Sequence, residues 1–147
     1  QRLTKLAGNV LAFEELAQRR LEEIESLDTK AAFERDEERY HELRIAVKHL
    51  RYVVENFLPE LDIAEGRDLK HVQDLLGEAH DLCVLRESLV ALAAPDDEML
   101  LLAWRERIAA EYARRIGEYR RMVQGAYGIW ERWRRMLNEE LDARGEP

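Results

Sequence analysis

The chain has 147 residues, 46% apolar and 37% charged, so it can bury one sizeable core and is too apolar to be disordered. Three prolines and seven glycines supply too few turns for a sandwich or barrel, and the longest apolar runs, 89–94 and 99–104, are far short of a membrane span. The formal charge of -8 argues at first against a polyanionic partner, and a single cysteine, Cys83, excludes an intrachain disulfide and fits a reducing, cytoplasmic setting.

The spacing predicts a first helix over residues 3–27, where Leu6, Val10, Phe13, Ala17, Leu21 and Ile24 recur every three or four positions. Ser26-Leu27-Asp28-Thr29 reads as its stop, with Asp28 or Thr29 placed to cap the next helix. A second helix spans residues 33–58 and ends before Pro59. Residues 60–66 read as a solvated acidic linker to a third helix over 68–92. Ala94-Pro95-Asp96-Asp97 is the clearest break, with Asp96 or Asp97 as the next cap. The last segment, 98–141, would be ~60 Å long if unbroken, against ~35–40 Å for the others. Gly117, Gly125 and Gly128 are its candidate kinks; otherwise its end overhangs, and Trp130 and Trp133 pack on another subunit. Short connections then make residues 1–147 an all-α, antiparallel four-helix bundle with a long last helix. Cys83, Trp104, Met99, Met122 and Met136 read as packing residues.

Charge is unevenly spread. Residues 99–136 carry nine arginines against four carboxylates, whereas 41–98 carry six basic and thirteen acidic side chains. Arginine outnumbers lysine 19 to 4, which suits bidentate contact with phosphate or carboxylate. Stepping 100° per residue along the second helix gathers Leu43, Val47, Leu50, Val54, Phe57 and Leu58 into a core stripe. His41, Arg44, Lys48 and Arg51 fall together on an adjoining face, a row ~15 Å long with three fixed charges and one imidazole. Like charges at these spacings repel, so the row makes sense when an anion lies over it. Within the same helix only Glu55 offers relief. On the third helix Lys70, Gln73, Asp74, Gly77, His80 and Asp81 share the face opposite Val72, Leu75, Leu76, Ala79, Leu82 and Cys83.

His41-Glu42-Leu43-Arg44-Ile45-Ala46-Val47-Lys48-His49-Leu50-Arg51-Tyr52, followed by Glu55, resembles the signature of the CHAD family, the conserved histidine α-helical domain. Leu69 and Val72-Gln73-Asp74-Leu75-Leu76-Gly77-Glu78-Ala79-His80-Asp81 resemble that family's second motif, in the same order along the chain. His49 departs from the pattern, standing where the family has Lys or Arg. The resemblance implies binding of inorganic polyphosphate in a basic channel, and since no nucleophile, Gly-rich phosphate loop or metal-spacing motif stands out, no turnover is expected. Family domains are usually two four-helix halves, and this chain resembles the C-terminal one. It is therefore expected to be half a domain: a fragment, or a short member that completes itself as a homodimer.

Carried over by position, Arg44, Lys48 and Arg51 would contact phosphate directly, His41 would donate when protonated, and Tyr52 would offer its hydroxyl. Lys70, Gln73, His80, Arg114, Arg115 and Arg121 are further polyphosphate candidates, with Arg120 beside them. Asp74 and Asp81 are expected to orient the basic side chains, and Gly77 to admit close approach. The expectation includes no catalytic residue, cofactor or metal, no membrane, no sequence-specific nucleic acid, and a cytoplasmic or polyphosphate-granule location.

Three other readings stay open. A structural or adaptor bundle would pair the row internally. A nucleic-acid binder would hold phosphate backbone, although no aromatic platform flanks the row. His80-Asp81 is the dipeptide of metal-dependent HD-type phosphohydrolases, but His71 falls on the opposite side of the helix, so both histidines cannot face one metal.

Overall fold

The two residues expected to end the first helix are used inside it. Thr29 Oγ1 donates to the Glu25 carbonyl at 3.0 Å, and the Asp28 carboxylate accepts from Tyr119 in the bundle interior. The computed structural model describes residues 2–93 and 96–145, with side chains from residue 8 onward, so Leu6, Ala94 and Pro95 lie outside the described side chains. Among the described residues the fold is all helix: α1 (Arg2–Glu34), α2 (Glu37–Phe57), α3 (Pro59–Leu92), α4 (Glu98–Val123) and α5 (Ile129–Gly145). Five helices stand where four were expected.

Each boundary has a local cause. α1 stops at Arg35, which takes the left-handed conformation at φ 51°, and Asp36 then caps α2 by accepting from the Glu38 amide at 3.1 Å. Pro59 ends α2 but opens α3 immediately, because a proline at the first helical position lacks an N–H that would be unpaired anyway. The expected linker over 60–66 is therefore the first two turns of α3, with Leu61 buried. Asp97 occupies the cap position of α4, yet its side chain makes no capping bond.

The long last segment is cut at 124–128. Gly125 adopts φ 78°, and a side chain on Gly128 would collide with the Val123 carbonyl, so both positions need glycine. Gly117 stays inside α4 without a kink-forming role. The turn lets α5 fold back along α1, so of the two alternatives the segment breaks at candidate glycines and its end does not overhang. Trp130 and Trp133 are 4% and 0% exposed, packed in the chain's own core with Ile129 and Leu137.

The helices pack in the order α5, α1, α2, α3, α4, with α4 returning to α5. The periodic stripes land in the core: Ala17, Leu21 and Ile24 of α1, Leu43, Val47, Leu50 and Val54 of α2, and Val72, Leu75, Leu76 and Ala79 of α3. Phe57 departs from its stripe, half-exposed and stacked flat on Phe13 with ring centroids 3.9 Å apart. Met99 and Trp104 are exposed rather than packed, whereas Met122 and Met136 rest against the core.

One carboxylate joins the layers. Asp28 of α1 accepts from Tyr119 and, at 2.9 Å, from Arg120 of α4. Arg120 also donates to the Tyr40 hydroxyl of α2 at 2.8 and 2.9 Å, and Trp130 of α5 donates to the Tyr119 hydroxyl at 3.1 Å. Burial and the neighbouring Asp28 push the Tyr119 hydroxyl well above its ordinary range, so it stays a donor. Asp28→Ala would strand a part-buried guanidinium and leave the buried Tyr119 hydroxyl without its acceptor. It should destabilise the fold by about 2–4 kcal/mol in urea unfolding, with Asp28→Asn costing less because it keeps an acceptor.

Candidate functional site: the α2–α3 groove

α2 and α3 run antiparallel, as the pairs Glu37–Arg86, His41–His80 and Arg51–Gln73 record. Their polar faces meet along one edge. The core stripe of α2 fixes that helix in rotation, so the basic row is presented to solvent at the seam with α3.

Two open grooves lie there, with Gln73 in the wall of both. The first, about 300 Å³, is lined by Lys48, His49, Arg51, Tyr52, Glu55 and Gln73. The second, about 250 Å³, is lined by Arg44, Gln73, Asp74, Gly77, Glu78 and Asp81. Between Arg44 and Tyr52 the trough runs ~12 Å along the helix axis.

The cations differ in freedom. Arg51 is held by Glu55 at 2.6 Å and donates to Gln73 Oε1 at 3.0 Å, so the one carboxylate of its own helix does engage it. Arg44 and Lys48 have no ion-pair partner among the described residues. Asp74 and Asp81 share a groove with Arg44 without pairing to it, which departs from the orienting role expected of them. A Cβ on Gly77 would meet Arg44 Nε at 3.9 Å, ordinary contact distance, so helix packing does not require glycine there.

His41 and His80 stack face to face, centroids 4.2 Å apart and rings 19° from parallel. His41 Nδ1 is buried without a protein partner. His80 lines the closed cleft behind the row, with Glu37, Tyr40, Cys83 and Tyr112, rather than the grooves themselves. Burial lowers its pKa below the ordinary imidazole value, and the adjacent His41 and Arg44 lower it further. Burial, aided by Glu37, pushes the half-buried Cys83 thiol up to about 11, so it behaves as an unreactive packing group. Glu37 itself is held below its usual range by a bidentate Arg86 at 2.6 and 2.7 Å.

Several expected members lie elsewhere. Lys70 is exposed on α3 but lines neither groove. Arg114 pairs with Glu111 and Glu118 within α4, and Arg115 pairs with Glu111 and with Glu78 of α3, so both are engaged in ion pairs away from the grooves' basic row. Arg121 is exposed on α4, beside Gly117, and lines neither groove. Arg120 is the internal cation of the Asp28 cluster. Tyr52 does line the first groove, edge-on to Phe57 at 6.4 Å. His49 and Glu78 line the grooves although neither is among the expected site residues, His49 figuring only as a departure from the family pattern. His49 sits 100° around the helix from Lys48, off the row, and only the width of the groove brings both to one wall. Among the described residues no three His, Cys, Asp or Glu side chains converge as a metal set, and His71 is exposed away from His80.

A family model described as CHAD domain matches residues 5–90, more than half of the chain. The chain belongs to the CHAD family. The match spans α1, α2 and nearly all of α3, and so includes both walls of the CHAD groove, while α4 and α5 lie beyond it. No match to the chain was found among curated proteins or solved structures. No helix is long and apolar enough to cross a membrane.

The His80 environment predicts a pH dependence of stability. With its folded pKa below the unfolded value near 6.5, the native state binds fewer protons than the unfolded one between those two values. Stability is therefore full above about pH 6.5 and falls as pH drops through the lower, folded value. Thermal melts from about pH 8 to about pH 5 should show this fall in the wild type and a shallower one in His80→Asn.

Proposed function

We propose that this chain binds inorganic polyphosphate, without turnover, along the α2–α3 trough. The observation that carries the reading is the pair Arg44 and Lys48, which face open grooves with no internal counter-ion among the described residues, within the stretch matched to the CHAD family. Polyphosphate repeats one anionic unit and offers no bases to read, so cations at helical spacing meet its needs.

The parts divide by chemistry. Lys48 supplies a mobile point charge. Arg51, already oriented by Glu55 and Gln73, presents its outer guanidinium edge, and Tyr52 adds a neutral donor at the rim. Asp74 and Asp81 repel an anion from the α3 wall, so the polyanion lies against α2, with Arg44 reaching it across Gly77. Stacked on His41 behind the row, His80 gains a favourable counter-charge when an anion is bound, which opposes the lowering of its pKa.

Charge reversal of the two free cations, Arg44→Glu with Lys48→Glu, should abolish polyphosphate binding in a titration while leaving the helical circular dichroism unchanged. Unfolding of that variant would make the row structural instead. For about three neutralised phosphates, wild-type affinity should fall roughly 30-fold between about 50 and about 200 mM salt. Gly77→Ala separates fold from binding. It should raise unfolding stability by about 0.5–1 kcal/mol, because glycine is poor in a helix interior, while weakening polyphosphate binding by narrowing the groove floor.

A further inference from the structure

The row of cations does not run the full length of α2. After Arg51 the helix carries no further basic residue; Glu55 follows, and the helix ends at Phe57. The last turn of a helix holds partial negative charge on its unpaired carbonyls, so this end of the trough disfavours an anion, and Glu55 adds to that even while Arg51 engages it at 2.6 Å.

What stands at that end is aromatic. Tyr52 is 63% exposed, and His49 on the same wall of the first groove is exposed as well. Residues three apart on a helix are neighbours, so the two rings lie side by side. The Tyr52 ring is braced: it meets Phe57 edge-on, and Phe57 is stacked flat on Phe13 of α1. Exposure on this scale means that Tyr52 does little for the core and that at least one face of its ring is open to a flat partner. The second groove has no aromatic residue in its lining, so rings border the trough at one end only.

Rings and charges are in register. Lys48 lies one turn from Tyr52, ~6 Å along the axis, and Arg44 one turn beyond it. We infer that the trough takes a nucleoside triphosphate, with its base stacked on Tyr52 beside His49 and its phosphate tail running over Lys48 and Arg51 toward Arg44. The neutral, flat part of the ligand then occupies the end where an anion is disfavoured. The first groove, at about 300 Å³, reaches the range of small-molecule sites. A single-stranded nucleic acid fits less well, because successive bases need successive rings along the strand's path. The inference rests on the phosphate-binding reading of the trough and adds to it a second class of ligand.

Calorimetric titration of the full chain at about pH 8, with a chelator present, tests this; an ordinary imidazole is uncharged there, so His49 acts only as a ring. Inorganic tripolyphosphate carries at least the charge of ATP, and electrostatics alone would not favour the nucleotide. ATP should nevertheless bind about tenfold more tightly than inorganic tripolyphosphate. Tyr52→Ala should abolish that preference and Tyr52→Phe should preserve it, with helical circular dichroism unchanged in both. Equal affinities for the two ligands, or a preference that survives Tyr52→Ala, would overturn the proposal and leave polyphosphate binding standing. A hydroxyl-ended oligoadenylate that binds as tightly as ATP would overturn it in favour of single-stranded nucleic acid. Binding of neither triphosphate would remove the phosphate-binding reading of the trough, and the nucleotide with it.

Discussion

The Asp28 carboxylate constrains the bundle more than any single apolar contact does. It takes hydrogen bonds from Tyr119 and Arg120, and through them reaches Tyr40 and Trp130, so one side chain of α1 addresses α2, α4 and α5 together. Apolar packing is tolerant of sliding and rotation, whereas a part-buried guanidinium must find its oxygens at fixed distances and angles. The cluster therefore sets the register in which the greasy stripes meet. Arg120 also lies over the Tyr40 and Tyr119 rings, each 5.2 Å away, which confines it from both sides.

That fixed register has a use at the surface. α2 is held along its apolar stripe and at Tyr40, so its basic face cannot roll inward to find carboxylates. Glu55 engages Arg51, but the carboxylates of α3 nearest Arg44 stay apart from it. A scaffold that satisfied every cation would gain little, since exposed ion pairs contribute under about 1 kcal/mol each. Leaving two of them free costs the fold correspondingly little. Of the α4 arginines, Arg114 and Arg115 are engaged by Glu111, Glu118 and Glu78, and Arg120 by Asp28, which is why arginine density alone does not locate the groove.

Much of this is legible in the sequence, because periodicity and side-chain direction are local properties. The core stripes of α1, α2 and α3 and the row from His41 to Arg51 follow from 100° steps and need no tertiary information. The rest depends on partners distant in the chain. Asp28 has the composition of a cap, and only Arg120, 92 residues away, makes it an internal counter-ion. Pro59 is a stop for α2, but the same residue is a good first position for a new helix, and the acidic stretch after it looks like a loop. The tryptophans of the last segment require a surface to bury them. That the surface is α1 of the same chain turns on the steric demand of Gly128, which composition cannot display.

α5 closes over α1 through contacts between residues far apart in the chain: Glu14 with Arg144, Gln18 with Asn138 and Glu25 with Arg134. Glu14 is 2% exposed, and Arg144 is the partner that makes its burial tolerable. Synthesis runs from the N-terminus, so α1 leaves the ribosome long before the helix that covers it. Until α5 arrives, the nascent chain carries an open apolar seam and an acid that must stay hydrated. α5 thus acts as the clasp of the described bundle, closing the apolar seam of α1 and supplying its buried acid with a cation.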